Sequence, residues 1–153
     1  MLEAGVRTAG PHGWREILDD AALRTGPADA PYWQALSEGR LTMQKCQGCG
    51  EWTWPAVSRC GKCGTWDPEW HEIALEGKLF SWTRTWHPFG GTEGIEKPFV
   101  TVLAYLPHAG DRRLLGLYEG DESVLALDLP LAGRIASTRF GDQDIPAIRW
   151  RPA

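Results

Sequence analysis

Every cysteine in the chain lies in one of two matched knuckles, Cys46-Gln47-Gly48-Cys49-Gly50 and Cys60-Gly61-Lys62-Cys63-Gly64. Four thiolates at this spacing close a tetrahedral shell around one Zn²⁺, and the glycine after each pair lets backbone amides turn in toward the sulfurs. A closed four-sulfur shell has no open coordination position, so the zinc it predicts is structural. Metal binding of this kind contributes on the order of 10 kcal/mol to folding. The same shell chemistry accepts iron in a rubredoxin-like site. Two disulfides are the other use of four cysteines, but residues 1–13 show no secretory apolar run, which points to a reducing compartment. A redox pair needs one Cys-x-x-Cys at a strand–helix junction, and here two pairs sit among Gly, Pro and Trp.

Length and charge narrow the function classes. At 153 residues the chain holds one core of ordinary size plus a small appendage. Net charge is −4, and residues 67–153 carry nine basic against thirteen acidic side chains. That balance lacks the basic footprint of a nucleic-acid module. No stretch approaches the roughly 18 apolar residues of a membrane span. The expectation is a soluble, cytoplasmic protein. Nine tryptophans are many for this length. Some fill the core, and the others mark contact surfaces, where an indole keeps one dry face and one bonded N–H.

Hydrophobic periodicity divides the chain into an N-terminal helical arm (1–40), a zinc ribbon (41–66) and a barrel (67–153). Trp14, Ile17, Leu18 and Ala21 recur at helical spacing, with Arg15, Glu16, Asp19 and Asp20 on the other face. A second helix is expected from Pro31, with Trp33 and Leu36 on one face and Gly39 as its stop. These helices are expected to reach toward a partner. Leu41–Lys45 reads as a strand, and 51–55 with 56–59 as a hairpin between the knuckles. Trp52 and Trp54 alternate with Glu51 and Thr53, which puts both indoles on one strand face, more than a small ribbon can bury. In 79–86, alternation places Phe80, Trp82 and Trp86 together. Strands follow at 99–106, 114–118, 133–140 and 145–150. About five strands after a zinc hairpin predict a mainly β protein ending in a small closed barrel, with an OB-fold as the economical form.

The ordered set of motifs resembles a known family. Pro31-Tyr32-Trp33-Gln34-Ala35-Leu36 precedes the knuckles, Pro55 lies between them, and Gly77-Lys78-Leu79-Phe80-Ser81-Trp82 opens the barrel. His87-Pro88 ends its first long strand, and Pro98-Phe99-Val100 and Leu114-Leu115-Gly116 follow. From residue 31 to about 150 the chain resembles the zinc-ribbon OB-fold proteins grouped as domain of unknown function thirty-five. The resemblance implies a non-catalytic subunit of a thiolase-fold enzyme, either a thiolase or a retro-aldolase. Such enzymes act on acyl-CoA thioesters, steroid side-chain thioesters among them. It implies a hetero-tetramer, with acyl-CoA near the interface and the carbon–carbon bond chemistry in the partner. Trp14, Tyr32, Trp33, Leu36, Trp52 and Trp54 are the interface residues this reading expects.

No catalytic constellation emerges beside it. The cysteines are consumed by the metal, and Ser81 and Ser123 lack a Gly-x-Ser-x-Gly context. His87, Phe89 and Arg84 are the ligand or channel candidates, because His87 stands at the family position and leads into the loop Pro88-Phe89-Gly90-Gly91. Lys97, Arg112 and Arg113 are further cations that could meet CoA phosphates. Two other function classes remain open at this point: a stand-alone acyl-CoA binder, and an OB-type single-strand nucleic-acid binder, which the acidic barrel disfavours.

Overall fold

The computed structural model describes residues 29–153. The helix expected around Trp14 lies outside the described residues. The first described element is helix α1 (Ala30–Ser37), with Pro31 in its first turn, where a missing N–H costs nothing. Gly39, at φ +77°, takes the left-handed turn that ends it. The helix packs on this chain itself. Tyr32, Ala35 and Leu36 are buried, and Tyr32 and Leu36 join the hydrophobic core. The partner-facing role expected of Tyr32 and Leu36 is therefore corrected: burying them against the chain's own sheet satisfies their apolar surface.

A three-stranded antiparallel sheet follows, ordered β2 (Trp52–Thr53), β1 (Leu41–Lys45), β3 (Glu69–Ile73). The central β1 is buried on both faces over Leu41–Gln44. Gln44 pins the inter-knuckle segment: its side-chain amide donates to Val57 O at 3.0 Å, and its carbonyl accepts from Val57 N at 2.8 Å. The expected hairpin of 51–55 with 56–59 does not form. Residues 52–53 pair with β1 instead, and Arg59 bridges to Trp66. Because β3 pairs with β1 along its whole length, the ribbon sheet reaches Ile73, past the boundary expected at 66.

The rest is a closed five-stranded barrel, β4 (Glu76–Thr85), β5 (Phe99–Leu106), β6 (Arg112–Tyr118), β8 (Gln143–Pro152) and β7 (Pro130–Phe140), with β7 returning to β4. Neighbours are antiparallel except β6 and β8, which run parallel through Leu117–Arg149 and Tyr118–Trp150. Inside sit Leu79, Val100, Val102, Ala104, Leu106, Leu114, Leu131, Ile148 and Trp150. Trp150 is fully buried, and Gly116 and Gly133 make room for its indole.

A β-bulge resets the face of β4. Leu79 pairs with Ala104 and Ser81 with Leu103, so Phe80 is the extra residue. Past the bulge the pleat changes phase, and Trp82 and Arg84 stand opposite the buried Val102 and Val100. Phe80 lies on the outer face under Arg113, whose guanidinium is 3.6 Å from its ring centre. The single aromatic face expected over 80–86 is thus split. Beyond Lys78, β4 has no β7 neighbour, which leaves Trp82 partly open to solvent.

Ribbon and barrel are locked at Arg112. Its Nε donates to Trp52 O at 2.7 Å and its Nη2 pairs with Glu51, which also holds Lys62 at 2.9 Å. Lys62 and then Arg112 lower the Glu51 carboxyl from its ordinary 4.5. A depressed folded-state value means the stabilisation is present above the ordinary value and lost as pH falls through the depressed one. Zinc-saturated wild type is therefore expected to exceed Glu51→Gln in thermal midpoint at neutral pH, and the gap should close in acid. A gap unchanged by pH would contradict the lock. At Gly116, a Cβ would lie 2.6 Å from both Ile148 O and Trp150 Cδ1. Gly116→Ala should lower stability by about 1–3 kcal/mol, read from the urea midpoint.

Candidate metal centre and flanking surfaces

The two knuckles fold alike. Cys46 N donates to Glu51 O and Cys60 N to Thr65 O, each at 2.8 Å. Gly50 N and Gly64 N return to Cys46 O and Cys60 O at 2.7 and 2.9 Å. Both glycines sit at positive φ, +74° and +79°, where a side chain would be strained. This repeated turn brings all four sulfurs within 4.8 Å of one another. Cys46 and Cys63 sulfurs are 3.5 Å apart, and those of Cys49 and Cys60 are 3.8 Å apart. Zn–S bonds of about 2.3 Å in a tetrahedron place sulfurs about 3.8 Å apart, so the donor set fits the ion. The same separations are far beyond a disulfide bond of about 2.05 Å, and the cysteines are free.

Electrostatics agree with a site for a dication. The Thr65 hydroxyl and backbone N–H push Cys63 down to about 6. Backbone N–H groups of Cys63 and Lys62 lower Cys60. At Cys49 the Glu51 N–H favours the thiolate, but desolvation and the three neighbouring sulfurs outweigh it and push the thiol up to about 12. Four thiolates cannot all ionise this close without a cation between them. Cys46 and Cys60 are buried, and Cys49 and Cys63 face solvent. The site is a structural zinc site.

The remaining sequence candidates do not converge on one place. His87 and Phe89 meet edge to face, 5.7 Å between ring centres, in the exposed loop after β4. Thr92 holds that loop by accepting from Phe89 N at 3.0 Å and donating to Phe89 O at 2.8 Å. Gly141 N donates to Gly91 O at 2.9 Å, which ties the loop to the β7–β8 turn. Arg84 pairs with Glu122 and lies 5.9 Å from the Trp86 ring centre. Trp82, Trp86, Phe89, Val124 and Leu127 are exposed. Trp33 and Trp54 are half-buried and pack against the core cluster. Trp52 is held between Lys45, 5.1 Å from its ring centre, and His71. Trp54 stacks on Tyr32 at 4.4 Å. The ribbon does not bury Trp52 and Trp54 alone, as the sequence suggested, but α1 and the barrel supply what it lacks.

Three of the expected interface residues, Tyr32, Trp33 and Trp54, do meet, on a surface whose leucines sequence reasoning missed. Tyr32, Trp33, Trp54, Leu103, Arg113 and Leu115 line an open groove of ≈ 580 Å³ between α1, the ribbon and the outer face of β5–β6. The signal was the run Leu114-Leu115-Gly116-Leu117, apolar at both parities, of which a single face needs only half.

Comparison with known proteins places this geometry. Residues 33–67 match the family described as the ChsH2 rubredoxin-like zinc ribbon domain. In its ribbon motif and in its fold the chain is similar to DUF35 zinc-ribbon proteins. A solved DUF35-family protein from Sulfolobus solfataricus shares the fold at TM-score 0.57 and 22% identity, over 92% of this chain and 96% of that one. A solved Ltp2-ChsH2(DUF35) aldolase shares it at TM-score 0.70 and 23% identity, covering 83% of this chain and 95% of that one. A probable enoyl-CoA hydratase alpha subunit of Thermomonospora curvata is 33% identical over 136 residues, 86% of this chain. The chain spans 41% of that relative's length.

Replacing Cys46 by Ser should abolish stoichiometric zinc and unfold the ribbon, read by metal analysis and by loss of dispersed ribbon NMR signals. Lowering pH should release zinc from the wild type, because protons compete for the thiolates. Zinc retained by Cys46→Ser would contradict the ligand set.

Proposed function

We propose that this chain is a non-catalytic subunit of an enzyme acting on acyl-CoA thioesters. In this reading it docks on a thiolase-fold partner, stabilises it and helps form its substrate channel, with steroid side-chain thioesters as one substrate class. The observation that carries it is the shared architecture with the DUF35 chain of an aldolase, whose name pairs that chain with Ltp2. The similarity to an enoyl-CoA hydratase alpha subunit supports the same chemistry of substrate.

Two features of the chain itself agree. All four cysteines converge on one four-sulfur site, and a zinc bound there would take the only thiol nucleophiles out of play. Two tryptophans, Trp82 and Trp86, together with Phe89 and Leu127, stand exposed on and around a barrel that is already filled and closed, and Trp66 stands exposed on the ribbon. Exposed aromatics beyond the needs of the core are the composition of an interface. We read the barrel as OB-type, because its strands run first, second, third, fifth, fourth around a Greek-key closure. Its open end, with His87, Phe89 and Arg84, is the part we assign to the partner's channel. A two-plus-two assembly follows if the partner is itself dimeric.

The test is affinity purification of the tagged chain from its native host, with partners identified and counted by mass spectrometry. A thiolase-fold acyl-CoA enzyme in near-equal amount is expected. A monomer that carries acyl-CoA with no protein companion would replace this reading with that of a stand-alone binder.

A further inference from the structure

The four knuckle sulfurs are not equally covered. Cys46 and Cys60 are buried, whereas Cys49 and Cys63 face solvent. The two open sulfurs also differ from each other. The Thr65 hydroxyl stands 3.1 Å from Cys63 Sγ and donates to it as a thiolate, which draws charge away from that sulfur. No hydroxyl and no cation is bonded to Cys49 among the described residues. Its contacts are the Glu51 backbone N–H and the other three sulfurs, with that of Cys60 at 3.8 Å. Cys49 therefore combines exposure, an unattenuated sulfur and a second sulfur from the other knuckle behind it, the features of a cysteine that oxidises selectively.

We propose that Cys49 is an oxidation site for hydrogen peroxide, with Cys60 as its resolving partner. The Cys49 thiolate attacks one peroxide oxygen, the O–O bond breaks and hydroxide leaves, so the sulfur becomes a sulfenic acid. Cys60 then attacks that sulfur, the S–O bond breaks and a second hydroxide leaves as the S–S bond forms. Two protons from solvent turn both hydroxides into water. Two thiolates have lost two electrons, and one peroxide has gained them. The 3.8 Å gap closes to a bond of about 2.05 Å, and two of the four zinc ligands are gone. Cys46 and Cys63 alone cannot complete a tetrahedral shell.

The residues that follow Cys49 carry the change beyond the metal site. Glu51 O accepts from Cys46 N at 2.8 Å, the Glu51 carboxylate holds Lys62 and Arg112, and Trp52 O accepts from Arg112 Nε at 2.7 Å. Oxidation thus loosens the hold of the ribbon on the barrel, and a dithiol reductant with zinc restores it. The chemistry belongs to this chain alone and does not depend on the identity of a partner.

The experiment treats the full-length, zinc-loaded chain with hydrogen peroxide, follows zinc release with a chromogenic chelator against a peroxide-free blank, and maps disulfides by mass spectrometry. The expected results are release of the zinc, a Cys49–Cys60 disulfide, and hydrogen exchange raised over residues 41–73 but not in the barrel core. A cyclic diketone that traps sulfenic acid, present during oxidation, should label Cys49 ahead of Cys63. Cys49→His offers a ring nitrogen to zinc and should slow release by about tenfold, because histidine forms no sulfenic acid. The trapping result decides the site even if that variant fails to load zinc. Zinc retained after oxidation, first labelling at Cys63, a disulfide within one knuckle or between two chains, or unchanged exchange in the ribbon would each overturn the proposal.

Discussion

Four sulfurs held within 4.8 Å of one another are an unstable arrangement until a cation joins them, and the rest of the ribbon depends on resolving that. With zinc in place, the two knuckles become rigid turns at opposite ends of one short segment. β1 leads into the first knuckle, is buried, is paired along its edges by β2 and β3, and packs against α1. The first knuckle then delivers Glu51 and Trp52 to Arg112 on the barrel. The metal thus determines where the ribbon meets the barrel, although it lies outside the hydrophobic core.

Tryptophan placement follows from the same economy of surface. Trp150 fills the barrel because Gly116 and Gly133 vacate the space its indole occupies. Trp33, Trp52, Trp54 and Trp70 pack partly on the core, where α1, ribbon and barrel meet. None of these three elements could cover its own apolar surface alone. Trp82 and Trp86 fall outside this scheme. They reach the end of the barrel because one extra residue at Phe80 changes the phase of β4.

Much of this was legible beforehand, for physical reasons. Thiol spacing identified the metal site, since few other uses of four cysteines fit two matched knuckles. Strand alternation identified the barrel, and Pro31 and Gly39 bracketed α1. Local patterns failed where tertiary pairing decided the outcome. Trp52 and Thr53 joined β1 rather than 56–59, since Gln44 already bonds Val57 at both ends of its amide. A bulge cannot be read from alternation, so the face of Trp82 was misjudged. Tyr32 and Leu36 looked like interface residues because their sequence neighbourhood does not reveal the sheet they pack against.

The functional account treats the chain as a shaped, zinc-braced surface that serves chemistry located elsewhere. Its most direct test is turnover by the purified, zinc-loaded chain against a panel of acyl-CoA thioesters, followed through release or cleavage of the thioester product. The account predicts no turnover by the chain alone, and turnover when the co-purified enzyme subunit is added. Catalysis by the isolated chain, at a rate that rises with its concentration and survives removal of trace contaminants, would contradict it.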